Sequence, residues 1–580
     1  MPEERSIPIP AEHREFTVKV DGVVIAREHQ LLAVNVTKSA NRISSARIVY
    51  LDGAAASGDF PLSNSDSFVP GREVEILAGT TGDPVTLFKG IAIRQSLKVR
   101  DHCAPQLVVE CRHKAVKLTV GPKNAYFLDR KDSEIIDSLL RNAGLEAEVE
   151  NTAVTHKQQV QYSCSDWDFL LMRAEANGKL VFTADDRVIV KSPATGAPAV
   201  CSLQFGATIL EMDTQIDARQ QYSSVKSATW DAAQQELVEK EAADPGINGP
   251  GNLGSGELAA VAGLDHYHLQ HAALAGDEAQ AWADARWLKS QFSRVNGRVK
   301  CEGIATVNPG DTVTLGGIGE RYNGDVFVSR VRHDFDLVQG WKTNLQFGNL
   351  DSWLGEEQAV SAPKASALLP GICGLQIGIV TGNEDPDGEH RIRVRMPLVD
   401  QQGDGTWARV AAIDAGDQRG FFFRPEIGDE VVLGFLNDDP RQAVLLGMLH
   451  SSAKAAPLQG SDDNHEKLYQ SRSQMKLYFN DDTKVMRLET PAGNMITLSE
   501  EDQAVKIVDQ NGNKLEMTPD GITIESNKAI TLKAGTELKL ESGCALNVKG
   551  GTELKMSGTS GAEVSSSGVT KVKGSLLQLN

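Results

Sequence analysis

No run in the 580 residues approaches the roughly 18 consecutive apolar side chains that a helix needs to cross a bilayer, so a spanning helix is excluded. Cysteine is scarce and odd in number. The seven thiols, at Cys103, Cys111, Cys164, Cys201, Cys301, Cys373 and Cys544, point to free thiols in a reducing compartment rather than a disulfide framework. The start, Met1-Pro2-Glu3-Glu4-Arg5, has neither the basic residues nor the apolar stretch of a signal peptide, so the expectation is cytoplasmic assembly. Positive charge is in deficit: 59 Lys and Arg face 78 Asp and Glu. A net charge of −19 disfavours nucleic acid as a partner. G-x-S-x-G, H-E-x-x-H and P-loop signatures are missing, which removes the commonest hydrolase, zincin and nucleotide chemistries. What remains, 41 % hydrophobic residues at a mean hydropathy of −0.27, is the composition of a water-soluble chain of three to five domains with no cofactor expected.

The last sixty residues carry the strongest pattern. An apolar pair returns every eight positions: Ile522/Ile524, Ile530/Leu532, Leu538/Leu540, Leu546/Val548, Leu554/Met556 and Ala562/Val564. Residues two apart share one face of a strand, so each octet is a one-sided strand with Glu, Lys, Thr and Ser on its other face. Gly535, Gly543 and Gly551 recur in phase as corners. A looser version runs upstream through Leu515/Met517, Val505/Ile507, Ile496/Leu498 and Met486/Leu488, giving about eleven strands and a rod roughly 50 Å long at ~4.8 Å per strand. One-sided strands stack into a solenoid, wound by one chain or by several. The apolar ending Leu576-Leu577-Gln578-Leu579-Asn580, without a polar cap, favours an intertwined trimer over a monomeric β-roll or β-helix.

The first 350 residues read as mostly β and contain a duplication. Pro70-Gly71-x-x-Val74-x-Ile76 followed by Phe88-x-Gly90 is matched by Pro309-Gly310-x-x-Val313-x-Leu315 followed by Tyr322-x-Gly324. In each, Pro-Gly sets a turn, alternating apolar residues enter a barrel interior, and an aromatic with a nearby Gly starts the return strand. Helices are expected at Asp132–Ala143, from the N-cap Ser165 to about Gly178, and at about Asp277–Gln291, with a Gly/Pro-rich loop over Asp244–Gly256.

From Gly374 to His450 five short strands separated by turns suggest a small barrel of OB type. Its motifs are Gly378-Ile-Val-Thr-Gly-Asn383-Glu-Asp-Pro-Asp387-Gly388, Arg391-Ile-Arg-Val-Arg-Met-Pro397, Trp407-Ala-Arg-Val410, Pro425-Glu-Ile-Gly-Asp-Glu-Val431, Gly434-Phe435 and Asp438-Asp-Pro-Arg441. In these residues, with Ser165-Asp166-Trp167-Asp168-Phe169, the chain resembles the VgrG and phage tail-spike family over essentially its whole length.

The resemblance implies a mainly β fold: a hub of two related β-barrels with inserted helices, an OB-fold barrel and a C-terminal trimeric, intertwined β-helix needle. It implies a homotrimeric central spike of a contractile injection machine, such as a phage tail, a type VI secretion system or an extracellular contractile particle. The hub would dock on tail-tube and baseplate proteins. A PAAR-type tip protein would sit on Leu576, Leu577, Leu579 and Asn580, and an effector, if any, would be a separate polypeptide. The expected boundaries are 1–120 and 205–360 for the barrels, 121–204 for a helix-containing subdomain, 361–373 and 453–474 for linkers, 374–452 for the OB domain and 475–580 for the needle. The particle's leading end would be extracellular or delivered into its target on firing, meeting a membrane only during puncture.

Four motifs have blander readings. Gly249-Pro-Gly251-Asn-Leu-Gly254 matches G-x-G-x-x-G but follows no strand and opens no evident helix, so it reads as a linker. Asn383-x-Asp385-x-Asp387-Gly388 resembles the start of a calcium loop, yet Val394 stands where the bidentate Glu belongs. His266, His268 and His271 lack a Cys or carboxylate at ligand spacing and read as a surface segment before a helix. His102-Cys103 and Cys111-x-His113 are placed to meet only if a hairpin joins them, and Leu107-Val-Val-Glu110 between them reads as a strand. No catalytic, cofactor or metal residue is expected. The rival functions are a spike-associated envelope-degrading enzyme, for which 451–474 is too short a domain, and a self-standing β-solenoid adhesin.

Overall fold

The computed structural model describes residues 14–579 apart from 81–82, 195, 232–233, 248, 265, 272–273, 349–352 and 355–362. It divides into two units, Met1–Ile372 with Asn437–Pro440, and Cys373–Leu436 with Arg441–Asn580.

A thirteen-stranded sheet organises the first unit. Its strands show the period-two burial of half-covered strands: along Gly340–Phe347, Trp341, Thr343, Leu345 and Phe347 are buried while Lys342, Asn344 and Gln346 are not. The duplication appears in its hydrogen bonds. In the first copy Gly71 N donates to Ala92 O (2.8 Å) and Ala92 N to Arg72 O (2.9 Å); in the second Gly310 N donates to Val328 O (2.8 Å) and Val328 N to Asp311 O (2.9 Å). Gly71 and Gly310 have φ of 104° and 97°, a region that favours glycine, and Val74, Ile76, Val313 and Leu315 are all buried.

The aromatic-glycine signals do not correspond. Gly90 pairs with Val74 inside the long strand Asp83–Arg100, so its counterpart in register is Val326, opposite Val313. Gly324 instead opens the strand Gly324–Asp336. Gly90 serves close packing: a Cβ there would lie 2.3 Å from the Arg112 carbonyl. The two barrel-like halves also share one sheet. Leu31–Ser39 pairs antiparallel with Gly324–Asp336, in the register Val34↔Phe335, Val36↔His333 and Lys38↔Val331. Trp341 of the second half packs into the core of the first, edge-on to Phe16 at 5.4 Å, and Phe16 stacks on Phe335 at 4.5 Å.

Helix Asp132–Asn142 buries Ile135, Ile136, Leu139 and Leu140 and ends at Gly144, φ 73°. Helix Asp166–Ala176 is capped by Ser165, whose hydroxyl accepts from Asp168 N at 3.1 Å. Both pack into one core with Trp167, Leu170 and Val181. A longer helix spans Gly276–Phe292. The loop expected over Asp244–Gly256 stops early, because a helix runs over Ser255–Ala262 with Gly254 as N-cap. The Glu257 carboxylate accepts from Gly254 N at 2.8 Å, the reciprocal half of a capping box.

In the second unit Gln376–Gly382, Ile392–Arg395, Thr406–Val410, Ala443–Met448 and Glu430–Phe435 close into a five-stranded barrel around Val380, Ile392, Val394, Ala408, Val431, Leu433, Ala443 and Leu445. Seven antiparallel strands follow from Glu466–Gln470 to Gly521–Glu525. The first of them falls inside the interval read as a linker, 453–474. From 526 to 579 no intrachain strand pairing is formed, and bends return at 527–528, 535–536, 543–544, 551–552, 559–560, 567–568 and 575.

Candidate functional site

The register of the seven-stranded sheet aligns its apolar pairs into two unbroken cross-strand rows. One runs Tyr469, Leu477, Leu488, Ile496, Ile507, Leu515, Ile524; the other runs Phe479, Met486, Leu498, Val505, Met517, Ile522. The intervening positions carry Tyr478, Arg487, Thr497, Lys506, Glu516 and Thr523 on the opposite face. Ion pairs tie that polar face together, among them Lys476–Glu489 (3.7 Å), Lys506–Glu516 (3.6 Å) and Lys514–Glu525 (2.9 Å). Opposite faces of one sheet are thus chemically distinct.

The apolar face is not covered by this chain. Met486, Leu498, Val505 and Met517 are 36–42 % exposed, and the expected core residues Ile522, Ile524, Ile530, Leu532, Leu538, Leu540, Leu546, Val548, Leu554 and Met556 are 53–75 % exposed. Contiguous apolar faces of this kind are uncommon on soluble monomers. Bends at 535, 543 and 551 coincide with the in-phase glycines, but none of these three has positive φ, and a Cβ on any of them would meet nothing within 4 Å. Within one chain the corner does not demand glycine there. It does at Gly550 and Gly558, where a Cβ would lie 2.3 Å and 2.1 Å from the carbonyl oxygen three residues on.

The octet register shifts at the end. Continuing the even-numbered apolar positions past Val564 and Val572 would place Gln578 and Asn580 in the row, whereas Leu577 and Leu579 fall on the alternate face that Lys and Glu hold upstream. Leu576, Leu577 and Leu579 are all exposed, and Asn580 lies outside the described residues.

The remaining motifs resolve into structure. His266 and His268 lie on one face of the strand His266–His271 with ring centroids 6.2 Å apart, and five residues from His266 put His271 on the other face, so the three do not converge. The surface segment expected before a helix is a largely unburied strand, followed by helix Gly276–Phe292. Among the described residues no group of three His, Cys, Asp or Glu is arranged to hold a metal. Arg391 fills the calcium-like turn, donating Nε and Nη2 to Asp385 at 2.8 and 2.7 Å and Nη2 to Asp387 at 2.5 Å. Cys103 and Cys111 are near opposite ends of the single strand Cys103–Arg112, about 27 Å apart at ~3.4 Å per residue, so the pairing with His102 and His113 does not form. Burial pushes the Cys111 thiol up to about 12, and an inert thiol results.

One buried polar cluster escapes every motif. Asp132 accepts from Arg173 Nε (2.7 Å) and Nη2 (2.9 Å), from Asn177 Nδ2 (2.8 Å) and from His156 Nε2 (2.9 Å). Glu278 approaches His156 Nδ1 at 3.6 Å and Arg173 at 3.4 Å. Burial alone would raise the Asp132 pKa, but the bonds from His156, Arg173 and Asn177 outweigh it and hold the value at about 2. Hydrogen bonds to Asp132 and then Glu278 raise His156 to about 9. The cluster braces three helices and a strand, and Asp132, its oxygens taken up by three side chains, has no lone pair facing a substrate. Because the folded pKa of His156 lies above the unfolded ~6.5, its contribution is complete below that pH and lost as pH rises through about 9, on the order of 3 kcal/mol. The hub's melting temperature should therefore fall between pH 7 and 10 in the native chain. The fall should be smaller in His156→Gln, which calorimetry across that range would measure.

Residues 376–450 match the family described as the type VI secretion system/phage-baseplate injector OB domain, and residues 10–336 match the family described as the Alg8 N-terminal domain. The type VI secretion system spike protein VgrG1b of Pseudomonas aeruginosa is 23 % identical over 358 residues, 57 % of this chain and 47 % of that protein. The actin cross-linking toxin VgrG1 of Vibrio cholerae is 34 % identical over 97 residues, 15 % of this chain and 9 % of that protein. The chain thus spans half or less of the curated relatives it matches. Among solved structures, the 43 kDa tail protein of prophage MuSo2 from Shewanella oneidensis is 14 % identical, with 58 % of this chain and 99 % of that one covered at a TM-score of 0.44. More than half of this chain, residues 10–336, falls within the family described as the Alg8 N-terminal domain, to which it belongs, and its barrel within that of the injector OB domain; with the matched spike proteins this bears out the resemblance to the VgrG and phage tail-spike family.

Proposed function

We propose that the chain forms the homotrimeric central spike of a contractile injection machine and acts mechanically, without catalysis. The observation that carries this reading is the pair of apolar rows that continue as octets to Val564 while staying exposed in one chain. Three copies wound about one axis would bury them and pair the strand edges that a single chain leaves open. Carrying a half-exposed Leu or Ile to full burial contributes on the order of 1 kcal/mol. Summed over three needles, that is tens of kcal/mol as an upper bound. A rod held by interchain pairing has no free edge along its length, and stiffness under axial thrust follows.

In this reading the first unit docks on tail-tube and baseplate proteins, the chain assembles in the cytoplasm, and a separate effector polypeptide is a further partner. Membrane is met only during puncture. The off-register pair Leu577 and Leu579, with Leu576 and Asn580, supplies the surface for a PAAR-type tip protein, because these leucines are not used by the octet rows. Deleting Ser575 to Asn580 should abolish tip-protein pull-down while leaving the solution mass of the complex otherwise unchanged; undiminished pull-down would refute this site.

A further inference from the structure

We propose that the first unit contains a binding site for a carboxylate carried on a short apolar stem, with Arg294 as its anchor. Arg294 follows helix Gly276–Phe292 and is 8 % exposed. Its guanidinium makes one hydrogen bond among the described residues, from Nη2 to Pro250 O at 3.3 Å, and its Nε is buried without a partner. Among the described residues no carboxylate is paired with it, and burial lowers its pKa. A buried guanidinium left without an anion is costly, and structures that keep one supply the charge from elsewhere.

The space beside it is a cavity of about 230 Å³ that Arg294 helps to line. Its walls include Phe292, Val295, Val326 and Phe327, with Asp325 as the other charged group. The Asp325 carboxylate already accepts from Thr314 Oγ1 at 2.5 Å. One cation, one acid and apolar walls disfavour a doubly charged phosphate and suit a singly charged carboxylate whose stem meets the walls. The G-x-G-x-x-G segment makes the room. A Cβ on Gly249 would lie 2.5 Å from Arg294 Nη2, so that glycine lets the loop pass over the guanidinium, while one on Gly251 would lie 2.2 Å from the Arg321 carbonyl, so the second lets the loop pack on that backbone. That segment therefore shapes this site and has no dinucleotide role.

The acid has two possible sources with the same chemistry, a free short-chain acid or the C-terminal carboxylate of a docked polypeptide. The test is the melting temperature of the full chain in sodium butyrate, in N-acetyl-alanine and in N-acetyl-alanine amide, each against sodium chloride of equal ionic strength. A ligand that binds only the folded state raises the melting temperature saturably. The expected result is a saturable rise with at least one free acid, none with the amide, and affinity about 10- to 100-fold weaker in Arg294→Met, in line with a lost charge-assisted hydrogen bond. A rise with butyrate alone assigns the site to a free acid, and one with N-acetyl-alanine alone to a chain terminus. No rise up to ~100 mM, far beyond a physiological affinity, or an equal rise in Arg294→Met, overturns the proposal. Arg294→Gln, which keeps polarity, guards against a misfolded methionine variant. The inference is independent of the trimer, whose presence the solution mass of the same samples reports separately.

Discussion

Leu540→Asp is expected to prevent assembly of the needle and leave chains that run near 62.6 kDa. Leu540 belongs to the third octet and is 61 % exposed in one chain. In a trimer about one axis the substitution sets three carboxylates close together inside an apolar rod. Burial of an unpaired carboxylate costs several kcal/mol for each ion, and protonating all three instead requires raised pKa values at ~1.4 kcal/mol per unit. Either route removes a large share of the stabilisation from that stretch. Lys539 is the matched control, since it lies on the alternate face in an ion pair with Glu541 at 2.7 Å. Lys539→Ser should leave assembly intact. Size-exclusion chromatography with light scattering after mild denaturant separates the two, and a Leu540→Asp chain that still assembles would show that the octet face is not the interchain core.

Asp132→Ala should destabilise the first unit by about 3–5 kcal/mol, the cost of removing one partner from a buried charge network. The carboxylate is 1 % exposed and joins Arg173, His156 and Asn177. Its loss leaves the charges of Arg173 and His156 to share Glu278, which already sits at 3.4 and 3.6 Å from them. The same substitution at Asp137, one turn along the helix in an open pair with Arg141, should have no measurable effect. Urea titration followed by tryptophan fluorescence reads both variants, because Trp167 lies in the adjoining core. Equal midpoints for Asp132→Ala and the native chain would mean that the network is ornamental to stability.

The one-sided strands of the second unit and the barrels were legible for a simple reason. Period two decides which face of a strand is apolar, and the period of eight decides where the chain bends; both are local, so Ile522/Ile524 or Leu538/Leu540 announce themselves. The Pro-Gly turns at Gly71 and Gly310 were legible because positive φ selects glycine. What local pattern did not carry was the pairing of Leu31–Ser39 with Gly324–Asp336, strands some 300 residues apart whose match depends on the whole sheet. The Asp132 network was equally hidden, because Asp132, His156, Arg173 and Glu278 come from four elements with no motif spacing. The helix Ser255–Ala262 was within reach: Gly254 followed three residues later by Glu257 is a capping signal, obscured by the glycine and proline around it. Leu577 and Leu579 are as apolar as the octet residues, and only counting the register separates them from the apolar rows.

The claim on which the mechanical reading rests is that this chain has no complete needle alone. The mass of the purified protein in solution, by light scattering or sedimentation equilibrium, tests it most directly. The account predicts a value near three times 62.6 kDa at micromolar concentration, and a stable, monodisperse species near 62.6 kDa would contradict it.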